Sequence, residues 1–177
     1  MSKVIEFGPE GRDKLVRGID ILADAVVSTL GPNGRNVVIE KDHNQAQSTK
    51  DGVTVAKHIS LKDPVENLGV NLVREASVKT ADKAGDGTTT STLLAREMIK
   101  DGLKHLTNGA NAVEIKRSID RAVKVVTNSL RNNISEDITS EEQLEQVATI
   151  SANNDPEVGK LIATAMQKVG HEGVVHI

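Results

Sequence analysis

The chain is nearly devoid of aromatic residues: Phe7 is the single Phe, and no Trp or Tyr occurs in 177 residues. Any core it builds must therefore be aliphatic, assembled from Val, Ile, Leu and Ala. The same lack excludes base-stacking platforms for RNA or single-stranded DNA, which need aromatic faces. A net charge of -3 gives no general pull toward nucleic acid or anionic membrane. Without cysteine there is neither a disulfide framework nor a thiolate metal site. Hydrophobic residues at 37% and charged residues at 27% match a soluble globular chain, long enough for one domain or for one domain plus part of a second. No apolar run approaches the roughly 18 residues that span a bilayer. The start of the chain carries Lys3, Glu6, Glu10 and Arg12 and lacks an apolar signal core. A cytoplasmic location is expected.

Periodicity predicts a mainly α fold with a few short strands in the first third. Residues 3–7 (KVIEF) alternate and read as a strand. Leu15, Ile19, Leu22 and Val26 then mark one face of a helix that Gly31 and Pro32 stop. Residues 36–40 (NVVIE) read as a strand, 42–48 as a polar loop, and Lys50-Asp51-Gly52 as a turn into another strand with Val53 and Val55. Asp63-Pro64 is a helix-start signal, followed by Val65, Leu68, Leu72 and Ala76 on an expected buried face as far as Lys83. A third helix is expected from Gly87 with Leu93, Met98, Leu103 and Leu106. A fourth is expected after an Asn111/Glu114 capping box, burying Ile115, Ile119, Ala122, Val126 and Leu130. Residues 135–145 then hold five acids and no base, which suggests a boundary. Thr139 and Glu142 are candidate caps for a short helix through Ile150. Asp155-Pro156 opens another with Val158, Leu161, Ile162, Ala165 and Val169, and residues 173–177 begin a strand.

Three glycine-containing turns carry the chemistry: Thr29-Leu30-Gly31-Pro32, Lys50-Asp51-Gly52, and residues 85–90 (GDGTTT). The third falls where a helix begins, so unpartnered N–H groups and the helix dipole favour an anion. Its glycines permit close approach of a phosphate. Asp86 in such a place makes sense if Mg²⁺ bridges its carboxylate to the phosphates. Ordinary helix-start chemistry, with Asp86 or Thr88 as N-cap, accounts for the same residues. Neither a Walker motif nor a dinucleotide fingerprint is present. Lys50-Asp51-Gly52 is either a plain tight turn or the place where Asp51 orients a water attacking a γ-phosphate. Gly31-Pro32 is either a helix stop or backbone passing along a nucleotide. The five histidines show no ligand spacing.

With these turns in order, the sequence resembles the N-terminal third of the group I chaperonins, the GroEL family. The resemblance is carried by residues 22–26 (LADAV), 29–32 (TLGP), 34–38 (GRNVV), 49–53 (TKDGV), 84–90 (AGDGTTT), 149–153 (TISAN) and 158–163 (VGKLIA), with Glu172-Gly173-Val174. It implies an equatorial-domain-like helical bundle, incomplete in this chain. Residues 1–132 would be the N-terminal part of the ATP-binding equatorial domain and 133–177 the start of the intermediate, hinge domain, with the apical domain absent. It also implies that Thr29, Leu30, Gly31 and Pro32 line ATP, with the carbonyls of Thr29 and Lys50 near K⁺. Asp86 would hold Mg²⁺, Gly87, Thr88, Thr89 and Thr90 would cradle the phosphates, and Asp51 would be the catalytic residue that positions water.

The implied partners are further copies in stacked heptameric rings, a co-chaperonin lid and unfolded polypeptide, with neither nucleic acid nor membrane. Asn33 departs from the basic residue usual in the family, and residues 42–46 lack its common loop sequence. Two functions of different class follow. One is an ATP-dependent chaperone subunit of which this chain is the nucleotide-binding part. The other is an oligomerisation or interaction module without ATP turnover.

Overall fold

A computed structural model describes residues 3–41, 45–170 and 173. The helix predicted from Arg12 begins earlier, as α1 (Gly8–Val27), because Pro9 in its first turn is pre-set for helix. Residues 3–7 before it form no strand. They lack a pairing partner among the described residues, and Phe7 is 85% exposed. A period-two pattern offers a ladder but cannot supply its second strand.

β1 (Val37–Lys41) is the strand read from NVVIE. Its antiparallel partner β2 (Gln45–Thr49) falls in the segment expected to be a polar loop, with Ile39 opposite Gln47 and Val37 opposite Thr49. Ladder bonds are made by backbone, so a polar segment beside a good strand is enough to close a hairpin. The strand expected at Val53 and Val55 is instead α2 (Gly52–His58), where the Asp51 side chain caps the first turn. Asp63 and Pro64 start α3 (Pro64–Ala84) as the spacing predicts, followed by α4 (Thr88–Thr107) and α5 (Ala112–Ser129). A π-helical turn, Leu130–Ile134, extends α5. α6 (Glu141–Ser151) is capped one residue later than expected, by a reciprocal Ser140/Gln143 box in place of Thr139 and Glu142. α7 (Pro156–Val169) opens on Asp155 and Pro156. The strand expected at residues 173–177 lies outside the described residues apart from Gly173.

Two compact units result, Met1–Ile115 and Lys116–Ile177. The division falls inside α5, ahead of the acidic stretch. In the first unit Ile19, Leu22 and Val26 of α1 meet Ile39 of β1, Val55 and Ala56 of α2, and Val70 and Val73 of α3. This core is wholly aliphatic, as composition requires. α3 buries Val65, Gly69, Val70, Val73 and Ser77. Leu68 and Leu72, expected inside, are each 56% exposed. The reason is backbone proximity. Gly18 of α1 lies on the Glu66 backbone and Gly69 of α3 on the Leu15 carbonyl, so the two helices cross at the glycines and the face is centred there. On α4, Leu93, Leu103 and Leu106 are half-buried and Met98 is exposed. α5 buries none of its stripe: Ile115 and Ile119 are half-covered, while Ala122, Val126 and Leu130 are exposed. In the second unit α6 and α7 pair, with Gly159 pressed on Thr149. Among the described residues no helix is long and apolar enough to cross a membrane.

Lys14 ties Glu6, at 2.6 Å, and Asp63, at 3.4 Å, to α1. Glu6 chiefly, and Asp63, hold the Lys14 ammonium above its ordinary pKa. The Glu66 and Val65 amides, then Lys14, hold the Asp63 carboxyl below its ordinary value of 3.8. A depressed carboxyl contributes stability that is present above its unfolded value and lost as pH falls through the folded one. Between about pH 5 and pH 2 the Asp63→Asn chain should therefore lose less thermal stability than wild type, as read by circular dichroism. At the helix crossing, a Gly18 Cβ would come within 2.7 Å of the Glu66 carbonyl carbon. Gly18→Ala should thus cost about 1–3 kcal/mol in denaturant unfolding, as overpacking forces the helices apart.

Candidate functional site

The three turns singled out by sequence lie in the first unit, and the packing of α1 against α4 brings them together. These helices run antiparallel, tied by Asp24 to Arg96 at 2.6 Å and Asp20 to Lys100 at 3.1 Å. The C-terminal end of α1 is thereby set beside the N-terminal end of α4. There Thr29, buried, donates to the Val26 carbonyl at 2.7 Å and shares a 3.2 Å hydroxyl contact with Thr89. Leu30, Gly31 and Pro32 follow, exposed. The chain folds back at once, with the Gly34 amide on the Gly31 carbonyl at 2.9 Å and Arg35 on Ser28 at 2.8 Å.

The second turn closes against the same place. Gly52 is buried with the Thr88 hydroxyl, the Thr89 hydroxyl and Val26 so near that a Cβ would collide with Thr89 Oγ1 and lie 3.1 Å from Thr88 Oγ1. α2 is fixed at both ends. Asp51 caps its start, accepting from Val53 N at 3.4 Å, from Thr54 N at 3.0 Å and from the Thr54 hydroxyl. Arg74 of α3 donates to the Ala56 carbonyl at 2.9 Å and to the Ile59 carbonyl, closing its end. Lys50 is exposed and Asp51 half-buried.

In the third turn Gly85 ends α3 at φ +73° and Gly87 precedes α4 at φ +82°, both left-handed, a region that other residues enter only with strain. Neither Asp86 nor Thr88 caps α4: Gly87 occupies the N-cap, and no side chain accepts from the first-turn amides. α2, α3, α6 and α7 each carry a side-chain cap and α1 and α4 do not; at α4 the amides of Thr88, Thr89 and Thr90 form an open set of donors at a positive dipole end. Asp86 is exposed, its Oδ1 accepting from Gly87 N at 2.6 Å and its Oδ2 turned to no protein donor among the described residues. A Cβ placed on Gly31 or Gly85 would meet no atom within 4 Å, so the space on that side of both is open. Thr88 is buried and Thr89 is engaged with Thr29, which leaves Thr90 as the exposed hydroxyl of the three. The described histidines, His58 and His105, form no metal-binding group with acids, and none occurs elsewhere among the described residues.

Sequence reasoning missed Thr54 and Arg74. The Asp51-x-x-Thr54 spacing is a capping signal that points to the first, whereas nothing local to Arg74 foretells that it reaches α2.

The fold as a whole matches an equatorial-domain-like fragment of a chaperonin. The chain belongs to the TCP-1/cpn60 chaperonin family, whose model matches residues 22–176. The fold is similar to that of the chaperonin gp146 from the bacteriophage EL 2 (Pseudomonas aeruginosa), crystallised in the presence of ATP-BeFx. Identity is 30% and the TM-score 0.75, over 95% of this chain and 30% of that one. A second crystal form of gp146 gives a TM-score of 0.76 at the same identity. A group III chaperonin in the open state shares the fold at 21% identity and TM-score 0.73, over 90% of this chain and 32% of that chain. The chain thus spans roughly a third of the length of these solved chaperonins.

The junction makes a specific coupling. Gly52→Ala should destabilise the chain, and Thr89→Ala should relieve part of that loss. A double-mutant cycle should read a coupling of about 1 kcal/mol, as expected for groups in direct contact.

Proposed function

We propose that this chain is the nucleotide-binding part of an ATP-dependent chaperonin subunit of the group I type. Residues 1–132 would begin its equatorial domain and 133–177 its hinge domain. The observation that carries this reading is the uncapped start of α4 facing the Thr29–Pro32 and Lys50–Gly52 turns. The residues fit the groups concerned. The Thr88, Thr89 and Thr90 amides offer donors that no side chain satisfies, and the open faces of Gly31 and Gly85 admit a ligand against backbone. A single exposed carboxylate, Asp86, suits Mg²⁺, which takes one or two protein oxygens and fills its shell with phosphate and water. Bound Mg²⁺ would neutralise charge on the phosphates. Among the described residues no backbone amide in the turns donates to the carbonyls of Thr29 and Lys50, which leaves both for K⁺.

In this arrangement the α4 amides bind and orient the phosphates, while Leu30, Gly31 and Pro32 line the nucleotide. Asp51, at the mouth of the same junction, orients water in line with the γ-phosphorus. Turnover would drive the folding of unfolded polypeptide in stacked heptameric rings closed by a co-chaperonin lid. A second reading, an oligomerisation module without turnover, draws on the exposed apolar residues Leu68, Leu72, Val126 and Leu130.

Calorimetric titration of Mg-ATP into the 177-residue chain separates the two. Binding is expected, weakened at least about tenfold by Asp86→Ala, the scale of one lost charge-assisted contact. A folded wild-type chain that takes up no Mg-ATP would overturn the first reading in favour of the second.

A further inference from the structure

We infer that Thr54 is a positioning residue: its hydroxyl locks the Asp51 carboxylate in the one rotamer from which it can orient the attacking water. The inference rests on the reading of Asp51 given above.

Three aspartates in the described chain cap helices, and they differ in a way that helix capping does not require. Asp63 and Asp155 each take both first-turn amides on a single oxygen, Oδ1. Two backbone bonds are sufficient for a cap. The residue at the third helical position is Glu66 behind Asp63 and Val158 behind Asp155, and neither gives the cap a hydroxyl. At Asp51 the amides are split between the two oxygens. Oδ2 takes Thr54 N at 3.0 Å together with the Thr54 hydroxyl, and Oδ1 is left with one long contact, 3.4 Å, from Val53 N. Oδ2 is therefore occupied by helix, and Oδ1 keeps lone-pair capacity for a further donor.

The backbone around this carboxylate is tied at three points. Arg74 holds the far end of α2, Gly52 is wedged against Thr88 and Thr89, and the Asp51 amide donates to Thr49 Oγ1 at 3.0 Å. The Asp51 side-chain torsion is held by the two amides, and the Thr54 hydroxyl is the further donor that restricts it beyond what the cap supplies. Orientation of a reacting water is sensitive to that torsion, because a displacement of about 1 Å in a reacting group can cost roughly a hundredfold in rate. Binding of the phosphates draws on α4 and Asp86 and does not pass through Thr54.

The test compares wild type, Thr54→Val and Thr54→Ser in the 177-residue chain. Three-bond couplings to the Asp51 carboxyl carbon report its rotamer, calorimetry reports Mg-ATP affinity, and single-turnover hydrolysis reports chemistry. Wild type and Thr54→Ser should show one Asp51 rotamer. Thr54→Val should show averaging while backbone shifts of α2 stay helical. Its Mg-ATP affinity should remain within about twofold and its hydrolysis should fall about tenfold or more, the pattern of a lost transition-state contact. A single Asp51 rotamer in Thr54→Val, or unchanged hydrolysis there, overturns the assignment. Absence of hydrolysis in a wild-type chain that binds Mg-ATP would instead overturn the water-orienting role of Asp51. In that event the coupling measurement still decides whether Thr54 fixes the carboxylate.

Discussion

The antiparallel contact of α1 with α4 is the constraint on which the rest of the first unit depends. Two charge pairs, Asp24 with Arg96 and Asp20 with Lys100, set the register of the helices along their length. Exposed pairs of this kind add little stability, so their weight lies in alignment. Alignment is what matters at the end of the contact, where Thr29 and Thr89 meet. Moving either helix by one turn would shift its end about 5.4 Å and part the Thr29–Pro32 turn from the open amides of α4.

Around that contact small residues allow backbone to approach backbone. Gly18 and Gly69 let α1 and α3 cross closely, and Gly52 lets the start of α2 sit on the first turn of α4. Val and Ile fill what remains, since the one aromatic side chain, Phe7, is exposed and bridges no gap in the core. A chain with so few large side chains reaches interior density by bringing its helices together. That closeness is also what brings three short turns within reach of one ligand.

Much of this was legible beforehand. The Asp63-Pro64 and Asp155-Pro156 starts, the α1 stripe and the Asn36–Glu40 strand come from local rules of capping and period, which act within a few residues. The failures are non-local. Val53 and Val55 favour a strand, yet Asp51 as N-cap and the packing of Val55 and Ala56 into the core made that segment α2. Gln45–Thr49 has no apolar face to announce it and pairs only because Val37–Lys41 lies beside it. The α3 pattern points toward Leu68 and Leu72 because a hydrophobic pattern is blind to glycine, and the packed face is centred on Gly69 instead. The α5 stripe has the right period, but period says nothing about whether a partner covers it.

The aliphatic core, the helical class, most helix starts, and the three turns with their glycines and carboxylates follow from residue type and short spacing alone. The sequence also carried the family resemblance, through the order of those turns. That the turns converge, and that the start of α4 is left uncapped where those of α2 and α3 are capped, follows from the packing alone. The packing decided as well that Asp51 is held by Thr54 on a helix anchored at its far end by Arg74. The Thr29–Thr89 and Arg74 contacts join residues 15 to 60 positions apart, and they exist only once burial of Ile19, Leu22, Val26, Val70 and Val73 has fixed where each helix lies.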